Sequence, residues 1–150
     1  MKFAGIVLIL TSTTGAGIYF SHKLREKALI CRELQSLCDV LIIDVSYRKN
    51  SVITLIENNR YSHLGFITPD TVIKKCRVVS SLSGEENARI SSFLYSLGKS
   101  EAASQLMLIK GFGEYIKRCE KNYNEKYLKN SKMYIAVGAF CGALLGLTVI

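Results

Sequence analysis

The sequence predicts an all-α chain: a helical bundle domain flanked by N- and C-terminal transmembrane helices. Three observations carry that expectation. Charge-free apolar runs occupy residues 3–20 and 133–150. Of the twenty Lys and Arg only Lys2 lies outside residues 21–132, and all twelve Asp and Glu lie inside them. Between the runs, apolar residues recur three and four positions apart, the spacing that lines one helix face.

The C-terminal run follows Lys126, Lys129 and Lys132. As a helix its eighteen residues rise roughly 27 Å, close to the hydrocarbon thickness of a bilayer. Gly138, Gly142 and Gly146 recur every four residues, with Ala139 and Ala143 beside them. Such a smooth face lets a second backbone approach closely in lipid; a plain anchor whose small residues do no packing is the other reading. At the N-terminus, Lys2 ahead of the apolar Ile6–Leu10 core resembles the start of a cleaved signal peptide. Against cleavage, the small-residue site near Gly15–Gly17 is poor and no Cys follows at lipobox spacing. His22, Lys23, Arg25 and Lys27 also come directly after the run, and basic residues there hold that flank in the cytoplasm. A retained span is expected. Both inner flanks are basic, so residues 21–132 are expected in the cytoplasm with both chain ends on the far side. The expected organisation is a transmembrane helix at 3–20, a cytoplasmic helical domain at 21–132 and a transmembrane helix at 133–150.

The 112 residues between the runs suffice for one modest core. With nineteen basic and twelve acidic residues this segment carries +7. Beside a bilayer that charge points first to membrane lipids with anionic headgroups, and second to an acidic protein partner. Nucleic acid is not expected, because no recognition module and no aromatic–basic interleaving occurs. Five cysteines, one of them Cys141 in the last run, with no Cys-x-x-Cys, suit reduced cytosolic thiols.

Taken in order, Ala28, Cys31, Leu34, Cys38, Leu41, Ile42 and Val45 form the first stripe. No Pro or Gly intervenes between Ile18 and Val45, so this helix can continue out of the first span. Zinc ligation by Cys31 and Cys38 lacks a second Cys or His pair, and core packing is preferred. Tyr47–Ser51 breaks the helix, with Asn50 or Ser51 placed to cap a shorter one through Val52, Ile53, Leu55 and Ile56. Gly65, Pro69 and Asp70 mark a loop. Thr68 or Asp70 starts the next element, carrying Val72, Ile73, Cys76 and Val79, whose β-branched character leaves helix or strand open. Ser83-Gly-Glu-Glu has capping-box spacing with Glu86. The helix behind it buries Ile90, Phe93, Leu94 and Leu97, and Gly98 ends it where a left-handed residue is wanted. Ser100 is expected to cap the last helix, with Glu101 in its first turn. Ala102, Leu106, Ile109, Gly113, Ile116 and Tyr123 form the stripe of that helix, which can run on into the second span.

Catalytic chemistry is not legible, and neither metal nor cofactor is expected. His22 and His63 have no evident partners: His22 borders the first apolar run, and His63 falls in the loop region as a surface residue. The Gly15-Ala-Gly17 and Gly111-Phe-Gly113 pairs lack the strand, further glycines and Lys of a phosphate loop. Asp39 and Asp44, five apart, share a helix face poorly. Neither apolar run carries the ionisable residue that would suggest transport. The chain is read as non-enzymatic.

Arg32-Glu33-Leu34-Gln35, then Leu41-Ile42-Ile43-Asp44-Val45-Ser46-Tyr47, then Phe93-Leu94-Tyr95-Ser96-Leu97-Gly98-Lys99-Ser100-Glu101 with Gln105, resemble in order and spacing the stage III sporulation protein AB family. The last stretch is similar to that family's Leu-Gly-x-Ser-Asp motif with a Gln four positions on, here with Glu101 for Asp. Asp44 stands where the family has Glu, and the prolines expected soon after Tyr47 are missing. Read physically, Leu97, Gly98, Ser100, Glu101 and Gln105 form a tight corner between two helices. A plain helix–helix connection is the favoured reading of that corner.

The resemblance implies a place in the secretion-like channel complex of endospore formation, at the mother-cell membrane around the forespore. It also implies a domain similar to those of type II secretion F proteins. The chain would then be a membrane scaffold that docks a secretion-type sporulation ATPase alongside other stage III sporulation proteins. Two alternatives stay open. One is an exported or membrane-tethered enzyme released by signal cleavage. The other is a small pore-forming protein whose glycine face makes homo-oligomers.

Overall fold

The computed structural model describes the backbone of residues 2–47, 54, 61–68, 71–72 and 76–149, and the side chains of residues 15, 17–44, 54, 61–68, 71–72, 76–134, 136–137 and 140. Among the described residues it is all-helical: α1 spans Lys2–Tyr47, α2 Gly84–Ser96 and α3 Ala102–Val149. The chain forms two compact units, Lys27–Lys121 and a second made of Met1–Glu26 with Asn122–Ile150. Helices α1 and α3 contribute to both. Among the described residues, no helix is long and apolar enough to cross a membrane. Of the shorter helix expected from Asn50 or Ser51 through Ile56 only Thr54 is described, and it is helical; the rest falls outside the described residues, as do Pro69, Asp70 and Ile73.

Within Lys27–Lys121, α1 buries Ile30, Cys31, Leu34, Leu37, Cys38 and Leu41. The stripe is wider than the expected one, because Ile30 and Leu37 turn inward beside the three-four series. From α2 come Ile90, Phe93, Leu94 and Leu97, and from α3 Ile109 and Ile116. Two contacts fix how α3 lies in this unit. The rings of Phe93 and Phe112 stack with centroids 3.9 Å apart. At Gly113 a methyl group would sit 3.6 Å from the Cβ of Cys38, so α3 runs close over α1 there. Arg32 Nε meets Glu120 Oε1 at 3.1 Å, tying the same two helices at the surface. Ala102, expected in the α3 stripe, is exposed, since the helix begins there, ahead of its first buried residue, Ile109.

The stretch before α2 corrects another expectation. Cys76 is exposed and Val79 is 78% exposed, while Val78 and Leu82 are buried. Residues 76–80 are neither helix nor strand. The Val78 N–H donates to Ser91 Oγ at 2.9 Å, so its hydrogen bond goes to a side chain of α2 rather than to an upstream carbonyl. Buried Asn87 completes the attachment. It accepts from Ser80 Oγ at 2.5 Å and donates Nδ2–H to the carbonyls of Ser80 and Leu82, each at 3.3 Å. A buried amide so engaged avoids the desolvation cost of unpaired polar groups. Helix α2 opens on the Ser83–Glu86 capping box, with Glu86 N–H donating to Ser83 Oγ and Ser83 N–H to the Glu86 carboxylate.

In the other unit, Gly17 lies against Tyr134. A Cβ at Gly17 would sit 2.5 Å from Tyr134 Cδ1, so only a glycine admits the ring. Large apolar side chains left facing outward concentrate here: Ile18, Tyr19, Phe20, Met133, Val137 and Phe140. What the faces of Gly138, Gly142 and Gly146 meet lies outside the described residues; their backbones belong to α3.

Candidate functional site

Two places in the Lys27–Lys121 unit gather the candidate residues. The first is the corner between α2 and α3. Leu97 is buried, and its N–H donates to the Phe93 carbonyl at 3.2 Å, closing α2. Gly98 follows with φ +79°, the left-handed conformation that a side chain disfavours. Helix α3 then starts one residue later than the expected Ser100 cap. The Gln105 N–H bonds the Glu101 carbonyl at 2.9 Å, which puts Glu101 in the capping position. Ser100 contributes its carbonyl, which accepts from Gln105 Nε2 at 2.7 Å. The five motif residues are therefore together, with Gln105 bracing the turn from inside the helix. Residues 98–104 are all exposed, so the braced corner presents Lys99, Ser100 and Glu101 outward.

The second place joins α1 to the loop 61–68. Glu33 accepts from His63 N–H at 2.8 Å and from Ser62 Oγ at 3.0 Å, and its Oε1 lies 2.6 Å from His63 Nδ1. Burial of Glu33 pushes its carboxyl up, but the His63 side chain, the His63 N–H and Ser62 outweigh it, so the group sits below the usual carboxylate range. The expectation of an unpartnered surface His63 is thereby corrected: it is half-buried and held by a residue thirty positions away. Ser, His and an acid in contact invite comparison with a hydrolytic triad. In a triad the serine and the acid engage opposite ring nitrogens. Here Ser62 Oγ, at 3.0 Å, and Glu33 both meet Nδ1, so no proton relay runs through the ring.

A third cluster, not legible in the sequence, locks α2 to α3. The guanidinium of Arg89 lies 4.5 Å from the centre of the Tyr115 ring, a cation–π geometry. Tyr115 and Glu86 both lie near enough to Cys119 to act on its thiol. Burial, then the Cys119 contact, pushes the Tyr115 phenol up to about 12, and burial likewise raises the Cys119 thiol. Cys31 and Cys38 sit in the core. Burial pushes both thiols up to about 12, aided by nearby Cys119 for the first and Asp39 for the second. Among the described residues, no group of three or more His, Cys, Asp or Glu is placed to hold a metal ion. These arrangements fasten helices and shape a surface.

No curated protein and no solved structure matches the chain. The family model of stage III sporulation protein AB matches residues 70–150, more than half of the sequence. The matched part runs from the segment stapled by Asn87, through the braced corner at Leu97–Gln105, to the end of α3; Arg32–Gln35 and Leu41–Tyr47 precede it. That family is not a known enzyme family. On a match that takes in the corner and the whole of α3, the chain belongs to the stage III sporulation protein AB family.

Proposed function

We propose that this protein is a non-catalytic membrane platform of the stage III sporulation channel complex. It would be anchored by residues 3–20 and 133–150 and would present its helical domain to a secretion-type ATPase in the cytoplasm. The observation that carries this reading is the placing of apolar surface. Ile18, Tyr19, Phe20, Met133, Val137 and Phe140 face outward within the charge-free runs, at the ends of those runs nearer the domain. Large apolar side chains exposed on two neighbouring charge-free runs call for a covering phase, and lipid supplies one. The flanking His22, Lys23, Arg25, Lys126, Lys129 and Lys132 suit the cytoplasmic face of a membrane. Helices α1 and α3 each run from an apolar end into the domain without a break in the helix.

The domain's positive balance suits an acidic face on the ATPase and would raise the association rate more than the affinity. The full chain, co-expressed with the secretion-type sporulation ATPase and extracted in detergent, is expected to retain it through affinity purification. The apparent association rate should fall as salt rises. Elution of the ATPase in the void of that step, with the platform still helical by circular dichroism, would overturn the docking role.

A further inference from the structure

We propose that the cleft between Ser21–Arg25 of α1 and Tyr127–Tyr134 of α3 binds the phosphate of an anionic phospholipid headgroup. The proposal rests on the membrane reading above. Two helical stripes face each other across this opening of about 260 Å³. Ser21, His22 and Arg25 come from α1; Tyr127, Ser131 and Tyr134, at i, i+4 and i+7, come from α3. The lining therefore brings together a guanidinium, an imidazole, two aliphatic hydroxyls and two phenols, and includes no carboxylate.

Arg25 makes no ion pair among the described residues, so its planar fork is left to an external oxyanion. Guanidinium and hydroxyl donors converging from two sides are what a phosphate diester requires. The cleft is wide open, which suits a headgroup whose acyl chains must leave it. Ile18 forms its apolar wall, and exposed Phe20, Met133 and Val137 continue that character along the same helices. Tyr134 is held in place by its contact with Gly17. Exposed Lys23, Lys129 and Lys132 add positive potential in the same stretch, where anionic headgroups are attracted.

The test uses the full chain in detergent, with phosphatidylglycerol or phosphatidylcholine added at matched concentration and retained lipid counted by native mass spectrometry. Wild type should retain phosphatidylglycerol over phosphatidylcholine. Arg25→Gln should lower that retention about tenfold, the loss expected of a charge-assisted contact. His22→Gln and Ser131→Ala should lower it by smaller factors, and Lys110→Gln, away from the cleft, should leave it unchanged. Equal retention by wild type and Arg25→Gln would overturn the proposal. So would an equal loss in Lys110→Gln, which would mean diffuse attraction to the basic chain. Displacement of the lipid by millimolar inorganic phosphate would assign the cleft to a free anion and overturn the lipid assignment. Recovery of the chain in the aqueous fraction after carbonate extraction of membranes would instead overturn the membrane reading, and the lipid site with it.

Discussion

His63 and Glu33 meet twice, through the His63 N–H to Oε2 at 2.8 Å and through Nδ1 to Oε1 at 2.6 Å. This pair pins the loop 61–68 to α1 and delivers Leu64 and Ile67 to the core. Glu33 lies below its ordinary carboxylate value because the ionised form accepts these bonds. A depressed carboxyl contributes stability that is present above its unfolded value and lost as pH falls through the folded one. Glu33→Gln should cost about 1–2 kcal/mol near neutral pH. It should also flatten the fall in stability on acidification below about pH 4.5. Thermal unfolding of the detergent-solubilised chain against pH reads both effects, and an unchanged acid limb would contradict this role.

Local chemistry was legible in the sequence where tertiary contact was not. Ser83 and Glu86 cap each other within four residues, and Gly98 takes φ +79° at the end of the helix they start. The unbroken course of α1 beyond Ile18 followed from the lack of any Pro or Gly as far as Val45. The Glu33–His63 pair was hidden, because thirty positions separate residues that only folding brings together. The stretch at Cys76–Ser80 was misread for a related reason. Its apolar spacing imitates a helix face, but the Val78 N–H is taken by Ser91, so Val78 faces in and Val79 out. At the corner, Ser100 looked like a cap from its residue type alone. The position went to Glu101, and Ser100 engages through its carbonyl.

Gly98 offers a test free of packing effects. A methyl group there would meet nothing within 4 Å, so the cost of Gly98→Ala is that of the left-handed backbone alone. That cost is about 1–2 kcal/mol, and Gly98→Asn should lose less. Buried Cys31 and Cys38 make a thiol-reactive dye a suitable reporter of the melt. Equal melting of wild type and Gly98→Ala would contradict the assigned conformation.

Gly17 and Tyr134 make the opposite case, in which space decides. Gly17→Ala drives a methyl group into the ring and should cost about 1–3 kcal/mol, the range for overpacking. In a Gly17→Ala/Tyr134→Ala double variant the methyl has room, so the two costs should sum to more than the pair loses together. Strict additivity in detergent unfolding would contradict the contact.

The central claim, a cytoplasmic domain held by two membrane ends, is tested most directly with the chain's own thiols. Cys76 is exposed, whereas Cys31 and Cys38 are 0% and 1% exposed and their thiols are held neutral by burial. Intact protoplasts are treated with a membrane-impermeant maleimide, then lysed gently, then denatured, and each cysteine is read by peptide mapping beside the intact mass. The account predicts an unprocessed chain, no label on Cys76 before lysis, label on Cys76 after it, and label on Cys31 and Cys38 only in denaturant. Label on Cys76 in intact protoplasts would place the domain outside and contradict the account.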